Sequence, residues 1–198
     1  PDVCCLGSQR HGEVCRKNGL NDTEAMAELG HLKRGGRMFD WENISSGDLS
    51  RHIINHHHAQ LRICVPEILR LARKVEEGHS DHPACPVGLS SALGDIWSEL
   101  DGHMEKEEMV LFPLITEMAG VLKSAGPIRR MMNEHIEICV GLLKIRHLSH
   151  GFKCPKGASL TWRALYLSLS ELEEDLMENI HLEDDILFPK VFEKPSAT

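Results

Sequence analysis

Aromatic residues are scarce in this chain: they make up 5% of its 198 residues, and only one is Tyr. β-Branched residues are sparse as well, so there is little from which to build a sheet. No apolar run approaches the roughly 18 residues of a membrane-spanning helix, and a soluble protein is the expectation. Positive charge is also in deficit, with 22 Lys+Arg against 30 Asp+Glu and a formal net charge of -8. A chain with no surplus of cations releases few counterions, which argues against nucleic-acid backbone binding. The seven cysteines (Cys4, Cys5, Cys15, Cys64, Cys85, Cys139, Cys154) are odd in number and lack framework spacing. With no signal-like start, reduced thiols in the cytoplasm are expected.

What the chain does have is Leu, Met, Glu and Ala, which favour helices, and 13 histidines. Residues 1–38 read as a small helical domain carrying the Cys4-Cys5 pair, with Asn21-Asp22-Thr23 opening a short helix. Residues 39–46 read as a linker, and 47–194 as the main domain. Four long helical patterns fill it. The first has Ser46 as N-cap and runs to about Glu77, with Pro66 kinking it. The second spans about Leu89 to Met118. The third starts near Pro127, a good first-turn residue, and ends near His150. The fourth is capped by Ser159 and runs to about Asp184. Short connections between such helices specify an all-α, antiparallel four-helix bundle.

Two segments of this bundle repeat. His103-Met-Glu-Lys-Glu107-Glu-Met-Val-Leu-Phe-Pro113 and Asn179-Ile-His-Leu-Glu183-Asp-Asp-Ile-Leu-Phe-Pro189 both end in Leu-Phe-Pro, and both place a Glu four residues before that Leu. Glu107 and Glu183 are offset by 76 residues, and His58 and His135, on the other two helices, by 77. The two halves of the bundle are therefore related by approximate two-fold symmetry. His103 and Glu107 share a helix face. Carboxylates from two helices and imidazoles from the others are how bundles build two-metal cores, and this donor set suits iron or manganese rather than soft-ligand metals. An isolated His-x-x-x-Glu would be an ordinary surface pair; its recurrence with matching histidines is what points to metal.

These residues closely resemble the hemerythrin-like di-iron proteins of the repair-of-iron-centres group, the YtfE/ScdA type. Asp2-Val-Cys4-Cys5 with Cys15 and Leu20 looks like that group's N-terminal cysteine-pair domain. His57-His58-Ala-Gln-Leu-Arg62 looks like its first-helix motif, and His103 to Pro113 like its second-helix motif. The resemblance implies two non-haem irons, bridged by Glu107 and Glu183 and by an oxo or hydroxo group. His58, His103 and His135 would be the terminal ligands. The family's sixth ligand, a His four residues before the second bridging Glu, is Asn179 here. His181 stands nearby, but two residues along a helix turn it about 200° away, so the Leu-Phe-Pro register keeps Asn179 inward and His181 outward.

Three outcomes stay open for Asn179: an open position filled by water, substitution by a neighbour such as His57, or a weak or absent second metal. Two metals, one more labile, is the expectation. By resemblance the function is in nitrosative or oxidative stress: supplying iron to damaged iron–sulfur client proteins and reducing or transferring nitric oxide. The alternatives are a scavenger, sensor or iron store that binds NO or O₂ without turnover, and a degenerate bundle kept for interaction. A homodimer is among the states the resemblance allows. Cys4 and Cys5 read equally as ordinary thiols or as a redox or nitrosyl-accepting site, with Arg10, Arg16 and Lys17 favouring thiolate if they fold close. His79, His82, His147 and His150 read as helix-end residues, and His52 as a surface residue or one that orients a ligand. The His56-His57-His58 stretch reads as solvated apart from one or two inward rings, and the methionines, including Met104, Met109, Met131 and Met132, read as core fillers.

Overall fold

The computed structural model describes residues 41, 43–116 and 121–192, the last from 125 onward with side chains. Backbone proximity divides the chain into Pro1–Ile44 and Ser45–Thr198, and all the described helices belong to the second unit. The expected N-terminal domain with Cys4, Cys5 and Cys15 lies outside the described residues, as do Met118 and residues 193–198.

Four helical rods make up the described part of this unit. Helix α1 (46–78) joins Ser46–His52, a π-helical turn Ile53–His58 and Ala59–Gly78. Helix α2 (89–116) joins Leu89–Lys106, a π-helical stretch Glu107–Leu111 and Phe112–Thr116. Helix α3 is Val121–Leu148. Helix α4 (160–190) joins Leu160–His181, a π-helical turn Leu182–Leu187 and Phe188–Lys190. Helix α1 lies beside α2 and α4, and α3 lies beside α2. The all-α bundle read from the sequence is the architecture observed, and no described helix is long and apolar enough to cross a membrane.

Local chemistry accounts for most boundaries. Ser159 caps α4 by accepting from the Trp162 N–H at 3.3 Å. At α1 the cap is Ser45, not Ser46: Ser45 Oγ accepts from Asp48 N–H at 3.0 Å, and Ser46 is already helical. Helix α3 begins at Val121, six residues before the expected start. Pro127 therefore sits inside it. A Pro in a helix interior costs one hydrogen bond, and cohesion of the surrounding turns outweighs that loss here. Helix α1 likewise continues through Pro66; its departure from α winding lies upstream, at Ile53–His58. Gly88, with φ of 86°, supplies the left-handed turn that starts α2.

The core is aliphatic, with Leu61, Val65, Leu93, Ile96, Leu165 and Leu169 all buried. Gly141 lets α3 approach α2 closely: a Cβ there would stand 2.9 Å from Ile96 Cδ1. At one end, Trp162 is buried against His79 and His82 at 4.9 and 5.3 Å between ring centroids, and His79 Nε2 lies 3.0 Å from Ser159 Oγ. Those two histidines thus pack between helix ends, as expected. Met104 and Met131 fill core as expected, but Met109 and Met132 are exposed, because they fall on outer faces of α2 and α3.

Candidate metal centre

Toward the other end the core turns polar. His58, His103, Glu107, His135, Asn179 and Glu183 are each 3% exposed or less. Every rod contributes: α1 gives His58, α2 His103 and Glu107, α3 His135, and α4 Asn179 and Glu183. One donor atom from each of His103, Glu107, His135 and Glu183 lies within 4.8 Å of the others. His103 Nε2 stands 3.2 Å from Glu107 Oε1, and His135 Nε2 stands 3.0 Å from Glu183 Oε2. His58 Nε2 faces the other oxygens of the same carboxylates, at 3.5 Å from Glu107 Oε2 and 3.7 Å from Glu183 Oε1. The two glutamates therefore each reach both halves of the cluster.

The π-helical turns coincide with these residues. His58 closes the first, Glu107 opens the second and Glu183 is second in the third. A π turn adds a residue to the local winding and re-aims its side chains. Consecutive residues then serve one site: Glu107 points inward, while Glu108 Oε1 lies 2.8 Å from His58 Nδ1 and accepts from Arg62 at 2.7 Å. The repeat does the same on α4, where Asp184 Oδ1 lies 2.9 Å from His135 Nδ1. His103 Nδ1 has its own carboxylate, Glu134, at 3.1 Å. The two Leu-Phe-Pro phenylalanines stack on the cluster, Phe112 against His58 and Phe188 against His135.

These outer carboxylates fix the chemistry of the rings. A carboxylate accepts, so each Nδ1 donates to it and each Nε2 is left as the inward group. His103 Nε2 and His135 Nε2 then face each other at 3.0 Å. His58 Nε2, both oxygens of Glu107, Glu183 Oε2 and Asn179 Oδ1 are buried without a hydrogen-bond partner. Converging lone pairs without donors are what a cation would satisfy, so the residues present fit a metal ion. Without one, protons serve. Burial disfavours charge on His135, yet its contacts with Asp184, Glu107 and Glu183 hold it well above the usual imidazole range. Burial likewise opposes charge on His58 and His103, and the facing carboxylates raise both. Glu183 is lowered against the same burial by His135 and His58.

Asn179 breaks the symmetry. Its Nδ2 donates to Glu183 Oε1 at 2.9 Å, the oxygen that faces His58. The half containing His103 and His135 has two imidazoles; the half containing His58 has one. His181 is exposed and pairs with Asp185 at 2.8 Å, facing away as the register requires. His57 is half-buried on the flank of α1, outside the cluster.

A hemerythrin HHE cation-binding domain model matches residues 49–191, a span that includes all six of these positions. The chain belongs to the hemerythrin HHE family. Within that family it is similar to iron–sulfur cluster repair proteins. It is 40% identical over 190 residues to the iron–sulfur cluster repair protein YtfE of Pectobacterium carotovorum, covering 96% of this chain and 86% of that protein. It is 38% identical over 189 residues to YtfE of Escherichia coli, with the same coverage. A probable iron–sulfur cluster repair protein of Haemophilus influenzae is 37% identical over 193 residues, again at 96% and 86%. The family's cation binding accords with a buried cluster of imidazoles and carboxylates.

Reading the sequence missed four parts of this hemerythrin-family centre: the π turns, and the roles of Glu108, Asp184 and Glu134. The repeat did carry a signal for two of them. An acid follows each inward Glu, Glu108 after Glu107 and Asp184 after Glu183.

Proposed function

We propose that this chain is an iron-binding repair protein that holds two non-haem iron ions unequally and supplies iron to damaged iron–sulfur proteins under nitrosative or oxidative stress. The observation that carries this reading is the buried convergence of three carboxylate-backed imidazoles on two fully buried glutamates. His103 and His135, with Glu107 and Glu183, would hold one ion firmly. His58, with the other oxygens of the same glutamates, would hold the second weakly, because Asn179 offers an amide where a fourth imidazole, the sixth ligand, would be. Iron in such a site supplies a centre that binds and reduces small ligands such as NO or O₂. The chain's own residues orient the donors and bury both halves of the cluster.

In this reading, residues 1–38 form the cysteine-pair domain ahead of a linker at 39–46 and the bundle at 47–194. Cys4 and Cys5 are its candidate redox thiols. Among the described cysteines Cys64, Cys85 and Cys154 are free thiols while Cys139 is disulfide-bonded, so the uniformly reduced thiols expected from the sequence do not hold at Cys139. The test is anaerobic loading with ferrous iron, followed by incubation with a cluster-depleted iron–sulfur enzyme. The expected result is iron bound by the chain, a spectrum altered by NO, and recovery of the client's cluster. Iron that binds but never reaches the client would favour a store or scavenger instead.

A further inference from the structure

Arg62 closes the first-helix motif that contains His58 and stands four residues after it. One helical turn puts both side chains on the same face of α1. Arg62 Nη1 donates to Glu108 Oε1 at 2.7 Å, the oxygen that also stands 2.8 Å from His58 Nδ1. Its Nε lies 3.5 Å from Asp101 Oδ1. Arg62 thus spans two turns of α2 and ties the Glu108 side chain back to α1.

The three outer carboxylates differ in how they are held. Glu134, behind His103, accepts from Lys106 at 2.8 Å and from Arg130 at 3.0 Å. Glu108, behind His58, accepts from Arg62. Asp184, behind His135, has no Lys or Arg within ion-pairing distance among the described residues. The repeat sets Asp184 opposite Glu108 by 76 residues and Cys139 opposite Arg62 by 77. Exposure does not explain the difference, since the side chains of Glu108, Glu134 and Asp184 are 22%, 18% and 20% exposed. Length does. Aspartate has one rotatable bond fewer to fix, and Asp184 reaches His135 Nδ1 at 2.9 Å unaided. A partly exposed glutamate has an extra rotor that can carry its carboxylate out into water, and each of the two glutamates here is held by a cation.

We propose that Arg62 is a positioning residue for the ion at His58: it pins Glu108 against the His58 ring and thereby sets how firmly that ion is held. The planar guanidinium keeps the carboxylate oxygen in place. The pinned carboxylate keeps His58 Nδ1–H engaged and Nε2 aimed inward. Without the pin Glu108 turns into solvent, and the ring loses the partner that fixes its orientation and donor strength. Arg62 acts only through Glu108. The effect on the ion rests on the two-ion reading above; the pin itself does not.

The test compares the wild type with Arg62→Met, Arg62→Lys and Asp101→Asn. In the metal-free protein the His58 Nδ1–H proton should give a low-field NMR signal that Arg62→Met loses and Arg62→Lys keeps. On anaerobic ferrous titration, the second ion should bind about tenfold more weakly to Arg62→Met and pass correspondingly faster to a chelator, with the first ion unchanged. Arg62→Lys should restore most of that affinity, because an ammonium can still donate to Glu108. Asp101→Asn should lower the denaturation midpoint and leave the second ion as it was. If Arg62→Met and Asp101→Asn behaved alike in both readouts, Arg62 would merely brace α1 on α2, and the proposal would be overturned. A second ion held by Arg62→Met as firmly as by the wild type would also overturn it. So would one held more firmly, since the guanidinium would then act by repelling cations. If the wild type bound one ion only, the two-ion reading would fall, and the His58 signal alone would decide the pin.

Discussion

Each imidazole of the buried cluster is backed by a carboxylate on another helix: His58 by Glu108, His103 by Glu134 and His135 by Asp184. Such partners fix ring orientation and basicity, and losing one costs about 10- to 100-fold in metal affinity. Asp184→Asn should weaken the firmly held ion by that factor, while Glu108→Gln should weaken chiefly the second ion, as read by titration calorimetry. Protons compete for the same nitrogens, so the metal-free protein has its own pH dependence. The raised His135 contributes stability in full below the ordinary imidazole value of 6.5, and that contribution is lost as pH rises through the raised value. The lowered Glu183 contributes above the ordinary 4.5 and loses its contribution as pH falls through the lowered value. Melting of the metal-free protein should therefore move to lower temperature on going from about pH 6 to about pH 9, and bound metal should abolish that decline. A metal-free melting temperature that climbed across this range would contradict the assignment of His135. His103, Glu107, Asn179 and Glu183 could be read from residue spacing, because Leu-Phe-Pro sets the register twice; His58 and His135 rested on their matching 77-residue offset and on the family resemblance. Glu134 could not: it precedes His135 with no repeated partner, and only the packing of α2 on α3 brings it to His103.

Among the helices, the ends follow from capping chemistry and the interiors do not. Ser159 was legible because it stands before an apolar periodic run, and it serves twice, accepting from Trp162 N–H and facing His79 Nε2. Ser159→Ala should cost about 1–2 kcal/mol in chemical denaturation, with iron content unaffected, since the cluster lies at the far end of the bundle. Ser45 and Ser46 are adjacent and chemically alike, so spacing alone misplaced that cap by one residue. Pro127 misled for a different reason: its preference for a first turn is local, whereas the turns before it are held by the whole rod. The π turns were hidden because a 3.6-residue period assumes uniform winding. They occur where polar side chains must be turned into the core, at His58, Glu107 and Glu183. Gly141 offers a packing test of the same framework. Gly141→Leu would drive a side chain into Ile96 and should destabilise the protein by about 1–3 kcal/mol, read as a lower denaturation midpoint.

At the scale of the molecule, the two halves of the bundle are related by the repeat and break their match among the six inward positions only where His103 pairs with Asn179. The repeat aligns the glutamates, their following acids and the stacking phenylalanines, and then pairs His103 with Asn179. On the function proposed above, this asymmetry would make one half hold iron firmly and the other release it. The direct test is anaerobic ferrous titration of the wild type and Asn179→His, counting tightly bound iron per chain after gel filtration. The wild type should retain one ion firmly and lose the second. Asn179→His should retain two, with the second tightened by about 10- to 100-fold, the range seen when one supporting group of a metal site changes. Two ions held equally firmly by both proteins would contradict the claim.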